Sequence, residues 1–449
     1  MNRLFGTDGV RGIANQELTP ELAFQLGQAG AIALAEETHE KPKILIGKDT
    51  RISSDLLESA LAAGMCSVGA DVILVGTLPT PAVAYLTRKY GAHAGAVISA
   101  SHNPMEYNGI KFFNRDGFKL SDEIENEIET IIADNDYEIL RPIGRDVGRI
   151  IYKFDAIYDY ITFAKGTCEN RLDGLKIVLD CANGAASFAA PKVFEDLGAE
   201  VIVIHNMPDG ININDNCGST HIINLSTCVK ANNADLGIAF DGDADRALAV
   251  DENGELIDGD VIMSICAHSM RAKGKLKGNA IVATVMSNLG LFMMGRNSGM
   301  EVVQTKVGDR YVLERMAECG YSLGGEQSGH IIFLEHNTTG DGIVTGLQLA
   351  SIIAEGDKKA SEHRKVMTVM PQVLINAHVK NENKEQYTQY AEIMNAITTI
   401  ENEFAGDGRV LIRPSGTEPL IRVMIEGNCI EKITQRASFL AEIIEKNLA

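Results

Sequence analysis

No C-x-x-C pair occurs in this 449-residue sequence, and its eight cysteines (Cys66, Cys168, Cys181, Cys217, Cys228, Cys266, Cys319 and Cys429) are scattered along it. Such usage reads as reduced thiols in a cytosolic protein, and argues against a disulfide framework or a zinc site. A basic excess is missing too: 41 Lys and Arg stand against 61 Asp and Glu, a formal net charge of -20. Nucleic-acid phosphates attract basic surfaces, so nucleic acid is not expected as a partner. A small anionic ligand stays open, because it answers to local charge inside a cleft. No run approaches the roughly 18 uninterrupted apolar residues of a membrane span, and the opening MNRLFGTDGVRG carries no apolar signal core. The expectation is a soluble cytoplasmic protein with no membrane partner. Low-complexity segments and Pro/Gly/Ser linkers are absent as well, so domain boundaries are soft.

What is present is one pattern used three times. An apolar strand enters a polar turn, a helical stretch follows, and a Gly-x-acidic-Val step opens the next apolar strand. The first copy is KILIGKDTR (Lys43–Arg51), a helix over about Ser53–Val68, and GADVILVG (Gly69–Gly76). The second is LKIVLDCANG (Leu175–Gly184), a helix near Ala189–Leu197, and GAEVIVI (Gly198–Ile204). The third is NAIVATVMSN (Asn279–Asn288), a helix near Leu289–Arg296, and GMEVVQT (Gly299–Thr305). Continuous Val/Ile/Leu strands suit sheets covered on both faces, and strand–helix–strand units build doubly wound layers. The tail differs: a strand over Gln372–Val379, a helical stretch over Glu385–Glu403, strands at Gly408–Leu411 and Leu420–Glu426, and an amphipathic helix over Ile430–Asn447. The fold expected is α/β: three similar mixed α/β domains with doubly wound layers, at 1–155, 156–256 and 257–369. A smaller C-terminal α+β domain at 370–449 completes it, the four arranged around a central cleft.

Four loops carry chemistry. SASHNPMEYNGIKFF (Ser99–Phe113) follows the apolar stretch Ala94–Ile98, so Ser101 sits past the C-terminal end of a strand, where ligands of open α/β sheets collect. His102 beside it hints at activation of the hydroxyl, but there is no G-x-S-x-G elbow, which disfavours a hydrolase triad. A structural turn capped by Ser101 or Asn103 and fixed by Pro104 is the plain alternative. DGDADR (Asp241–Arg246) lies between the apolar runs LGIAF and ALAV. Three clustered carboxylates need a counter-ion, and hard oxygen donors suit Mg²⁺. An EF-hand reading places Asp241, Asp243 and Asp245 well and even puts Glu252 at the twelfth position. It fails because the sixth position, normally Gly, is Arg246 and the flanks read as strands. GGEQSGH (Gly324–His330) offers a carboxylate for neighbouring hydroxyls and a His for acid–base work. RPSGTEPLIR (Arg413–Arg422) gathers Arg413, Ser415, Gly416, Thr417 and Arg422 as an anion nest.

Together these loops, preceded by FGTDGVRG (Phe5–Gly12), resemble the α-D-phosphohexomutase family over essentially the whole chain and in family order. The resemblance implies that Ser101 is a phosphoserine in the resting enzyme, and that Asp241, Asp243 and Asp245 hold one Mg²⁺ per chain together with that serine. It implies that Glu326 and Ser328 hold sugar hydroxyls, with Lys306 also on the substrate. Arg413, Ser415, Gly416, Thr417 and Arg422 then grip the phosphate remote from the reaction. Arg11, His102, Lys111, Arg246 and His330 surround the transferred group, with Lys111 or His330 moving the hydroxyl proton. Gln327 resembles the branch acting on glucosamine phosphates, where mannose- and glucose-directed relatives tend to carry Met or Glu; the FGTDGVRG opening points the same way. Met105 and Tyr107 depart from an aromatic and an Asp common in many relatives. The implied partner is a small-molecule hexosamine phosphate, with glucosamine or glucose 1,6-bisphosphate as activator and a homodimer as the assembly considered. A phosphatase using the same serine, or a metal-binding protein without turnover, are the competing classes.

Overall fold

The computed structural model describes residues 3–6, 8–35, 41–134, 139–404, 406–415 and 418–448. The chain divides into two compact units, Met1–Met286 with Glu301–Val366, and Ser287–Met300 with Met367–Ala449. Among the described residues no helix is long and apolar enough to cross a membrane.

The first unit contains three mixed sheets, each built on the repeated strand–helix–strand pattern. In the first, strand order is Val10–Ile13, Tyr107–Asn114, Ala94–Ile98, Lys43–Lys48, Asp71–Thr77, Ile150–Tyr152. The last four run parallel, and Tyr107–Asn114 pairs antiparallel with its neighbours on both sides. Ile44, Leu45 and Ile46 are fully buried, as continuous apolar strands under helices on both faces should be. The second sheet orders Leu256–Ile257, Ala247–Asp251, Leu236–Phe240, Lys176–Asp180, Glu200–Ile204. Its Leu236–Phe240 and Ala247–Asp251 strands form an antiparallel pair, so the acidic loop joins two strands and no EF-hand helix flanks it. The third orders Glu301–Thr305, Ala280–Thr284, Leu323–Gly325, Ile331–Phe333, the last pair antiparallel.

The second unit is an antiparallel three-stranded sheet, Gln372–His378, Leu420–Gly427, Gly408–Pro414, with helices Ala391–Phe404 and Ile430–Leu448. Ile421, Val423 and Ile425 alternate into its core against Ile393, Ile400 and Phe404 and against Ile433, Leu440 and Ile444. Strand period 2 thus meets helical period 3.6 on one shared apolar layer. The helix Leu289–Ser298, sequence-adjacent to the third sheet, groups with this unit. One expected helix is corrected: Glu385–Glu403 is not continuous. A short 3-10 turn, Lys384–Gln389, ends at Tyr390, whose ψ of 110° is extended, and the α-helix starts only at Ala391. Tyr387 and Tyr390 both pack on the core, and this tertiary burial overrides local helix preference.

Candidate functional site

Ser101 lies three residues beyond the strand Ala94–Ile98, 1% exposed, with a left-handed φ of 52°. A non-glycine residue holds that conformation only where its surroundings over-determine it, and here they do. Its amide donates to Ser99 Oγ (3.0 Å). Its carbonyl accepts from the Arg51 guanidinium (3.0 Å) and from Asn214 Nδ2 (2.9 Å). The Arg51 guanidinium also donates to the carbonyls of Asn103 and Pro104 and pairs with Asp49 at 2.8 Å, both side chains fully buried. So aimed, Ser101 Oγ donates to Asp241 Oδ2 at 2.7 Å and lies 3.2 Å from His102 Nδ1.

The acidic loop meets the serine loop backbone to backbone. A Cβ on Gly242 would stand 2.6 Å from the Ser101 carbonyl oxygen, so the approach requires glycine there. One carboxylate oxygen from each of Asp241, Asp243 and Asp245 lies within 4.8 Å of the others, all three residues buried. Burial, then the neighbouring Asp245 and Asp243, pushes the Asp241 carboxyl well above its ordinary range. Burial and Asp243 likewise raise Asp245. Asp243 goes the other way: burial works against its charge, but Lys111 and the Thr80 hydroxyl (2.7 Å) hold it low. Asp243 Oδ1 and Asp245 Oδ1 are buried with no hydrogen-bond partner. Orphaned carboxylate oxygens in an all-oxygen donor set fit a hard divalent cation.

Cations crowd the same place. Lys111, on the strand Tyr107–Asn114 and 2% exposed, lies 3.2 Å from Asp243, 3.0 Å from Asp8 and 3.8 Å from Asp245. Burial opposes its charge, yet Asp243, Asp8 and Asp245 raise its pKa, so it stays an ammonium. Asp8 also pairs with Arg11 and, at 2.7 Å, with Lys119. Arg246 borders the triad; burial would lower its pKa, but Asp245, Asp241 and Glu326 raise it. His330, 3% exposed, has Nε2 3.5 Å from Asp309 and 3.9 Å from Asp245, and neither ring nitrogen completes a hydrogen bond. His102 is neutral at physiological pH: burial, then Arg246 and Arg11, lowers its pKa to about 4. Its closeness to Ser101 Oγ therefore does not come from an imidazolium.

The structure thus brings Ser101, His102, Lys111, Arg11, Arg246, His330 and the three aspartates into one cluster. Glu326 joins through Arg246, accepts from the Gly308 amide (3.2 Å), and lies 3.4 Å from the Ser328 hydroxyl. Gln327 is spoken for, its amide donating to Asp258 Oδ2 (3.1 Å), the residue that caps the helix Gly259–Ala272. Lys306 joins none of these contacts; it is exposed, 5.9 Å from the ring centroid of Tyr311. In the second unit, Arg413 and Arg422 stand directly opposite on paired strands. Like charges in that position are destabilising; Glu418, its Oε2 3.5 Å from Arg422, offsets part of this, and an anion between the two arginines would relieve the rest. Ser415 is buried, its hydroxyl accepting from the Glu418 amide at 3.1 Å. Gly416 and Thr417 lie outside the described residues.

Sequence reasoning missed Asp8, Asp49, Arg51, Lys119 and Asn214, which hold the cluster in place. A signal existed for two of them: Asp49 and Arg51 in KDTR are charges just past the strand Lys43–Lys48, at the ligand edge of the sheet. Asp8 lay in plain view in FGTDGVRG, but apart from Arg11 its partners, Lys111 and Lys119, are more than a hundred residues away.

Three layered α/β sheets with a loop-borne serine, a buried acidic triad and a ring of fixed cations are the equipment of a phosphoryl-transfer enzyme. Phosphoglucomutase/phosphomannomutase alpha/beta/alpha domains I, II and III match residues 2–138, 158–254 and 258–370, and the C-terminal domain matches 374–443. The chain belongs to this family, the α-D-phosphohexomutases, with all four of its domains present. Phosphoglucosamine mutases of Acetivibrio thermocellus and Clostridium novyi are 59% and 60% identical, over 100% and 99% of both chains. The fold is shared with a phosphoglucomutase/phosphomannomutase family protein of Burkholderia thailandensis (TM-score 0.81, 24% identity, 98% of each chain). It is shared too with Aspergillus fumigatus N-acetylphosphoglucosamine mutase, solved with GlcNAc-6P and magnesium (TM-score 0.67, 16% identity, 99% of this chain and 96% of that one).

Proposed function

We propose that this enzyme interconverts glucosamine 6-phosphate and glucosamine 1-phosphate, with Ser101 as the phosphoryl carrier. The observation that carries the reading is the 2.7 Å contact of Ser101 Oγ with the buried acidic triad, beside the Lys111 ammonium. Phosphoserine 101 would donate its phosphoryl group to the sugar O1. The O1–P bond forms as the P–Oγ bond of Ser101 breaks, giving a 1,6-bisphosphate. After the sugar turns over, the 6-phosphoryl group returns to Ser101 and glucosamine 1-phosphate leaves. Asp241, Asp243, Asp245 and the Ser101 phosphate would hold one Mg²⁺ per chain, whose chemistry is to neutralise charge on the transferring group. Lys111, Arg11 and Arg246 add fixed positive charge there. His330, whose ring nitrogens complete no hydrogen bond, would take the O1 proton and return it to the departing Ser101 Oγ.

Glu326 and Ser328 would accept and donate to the sugar hydroxyls, with Lys306 also reaching the substrate. Arg413, Ser415, Gly416, Thr417 and Arg422 would grip the phosphate not being transferred. A mutase needs this second anion site and a phosphatase does not, so the opposed Arg413 and Arg422 favour the mutase. Glucosamine or glucose 1,6-bisphosphate would load the serine, and the cytoplasm supplies the reduced setting that eight free cysteines call for. The test is turnover on glucosamine 6-phosphate against glucose 6-phosphate and mannose 6-phosphate. Glucosamine 6-phosphate is expected to have the highest kcat/KM; a strong preference for either neutral sugar overturns the substrate assignment.

A further inference from the structure

A second group of metal-ligating side chains stands apart from the acidic triad. Asp180 ends the strand Lys176–Asp180, and His205 directly follows its parallel partner Glu200–Ile204. Cys217 immediately precedes the turn Gly218–Thr220. One donor atom from each lies within 4.8 Å of the others. Asp180 and Cys217 are fully buried, and the His205 side chain is 28% exposed.

An ordinary carboxylate–imidazole pair does not account for this geometry. Asp180 Oδ2 and His205 Nδ1 are 3.1 Å apart without the alignment of a hydrogen bond, while Asp180 Oδ1 accepts from the Ala182 amide at 3.0 Å. A charge-assisted pair at that distance would be aligned. Unpartnered and buried, the two atoms converge with the Cys217 sulfur on a common space. We propose that Asp180, His205 and Cys217 form a second metal site, for a divalent transition metal of the zinc class. The mixed O, N and S donor set is borderline-soft, unlike the all-oxygen triad, and three protein ligands leave a fourth position for water. Burial raises the Asp180 carboxyl, and burial with the charges of Asp180 and Asp215 pushes the Cys217 thiol up to about 12. A bound cation reverses both effects: the thiol loses its proton to solvent as the metal–sulfur bond forms. The missing C-x-x-C counts against a zinc site built from neighbouring cysteines, whereas the ligands here come from three separate segments.

The site would work as a clamp. Asn214, three residues before Cys217, donates to the carbonyls of Ser101 (2.9 Å) and Asn103 (3.0 Å). Asn183 Nδ2, two residues past the Cys181 that follows Asp180, reaches the Asn212 carbonyl at 3.3 Å. Metal at Cys217 therefore fixes the loop that supports the serine loop. The test uses the full-length protein saturated with Mg²⁺, so that the acidic triad is occupied, and titrates Co²⁺ while following sulfur-to-cobalt charge-transfer absorption. A single equivalent should develop the band, and Zn²⁺ should displace it and raise Tm. Cys217→Ser should abolish the band, while Cys319→Ser with Cys429→Ser, both exposed thiols, should keep it. His205→Asn is the second variant: His205 has φ 48°, a conformation Asn tolerates, and its cobalt affinity should fall about tenfold or more. No band in the wild type, a band surviving Cys217→Ser, or unchanged affinity in His205→Asn overturns the proposal.

Discussion

Arg51 shows how one side chain sets the position of the serine. Its planar fork reaches the carbonyls of Ser101, Asn103 and Pro104 while Asp49 balances its charge in full burial. Lysine has one compact charge and cannot span three acceptors. Arg51→Lys should therefore leave KM near the wild-type value and lower kcat about 10–100-fold, the scale expected when a reacting group shifts by an ångström. Steady-state kinetics check this, and an unchanged kcat would show that the serine loop holds itself. At this scale the reactive residues were legible in the sequence, since Ser101, Asp241, Asp243 and Asp245 sit in compact motifs. Their supports were not. Arg51 serves a loop fifty residues on, Asn214 one more than a hundred residues back, and spacing carries no record of such contacts.

Elements were legible where hydrophobic period and caps agreed. The three strand–helix–strand copies appear within a few residues of their expected bounds, because buried parallel strands leave an unmistakable apolar run. The Tyr390 break in the tail was hidden, since burying two tyrosines is a tertiary effect. A polar element end also makes a pH-dependent contribution. Asp341 caps the helix Gly342–Ala354 through the Val344 amide (3.0 Å) and accepts from the Tyr160 hydroxyl at 2.8 Å. Burial raises its carboxyl to about 6, against the help of Val344, Tyr160 and Asn337. A carboxyl whose folded pKa lies above the unfolded value favours the protonated folded state. Its contribution is thus largest below the unfolded pKa and is lost as pH rises through about 6. Tyr160→Phe removes a donor to the charged form. It should destabilise the protein by about 1–3 kcal/mol near neutral pH, and by less at about pH 5, where the carboxyl is largely protonated. Denaturant unfolding at the two pH values reads this directly; an equal loss at both would assign the effect to packing alone.

For the whole molecule, net charge and site charge point in opposite directions. A chain of formal charge -20 gathers Arg11, Lys111 and Arg246 around three buried carboxylates, with Lys119 paired to Asp8 behind them, so an anionic substrate meets local cations and not the average surface. Sequence order alone conveyed four domains, because each chemical loop lies in its own matched domain. It did not convey that Ser287–Met300 groups with the carboxy-terminal unit, since a helix's packing partners are not written in its neighbours. In the proposed mechanism Ser101 gives and takes back one phosphoryl group per turnover. The most direct measurement is mass spectrometry of the intact enzyme and its peptides after exposure to glucose 1,6-bisphosphate, followed by mixing with glucosamine 6-phosphate. One phosphoryl group per chain is expected on Ser101, passed to the sugar on mixing, with neither label nor isomerase activity in Ser101→Ala. A Ser101 that stays unmodified while the enzyme turns over, or a Ser101→Ala variant that still isomerises, would contradict it.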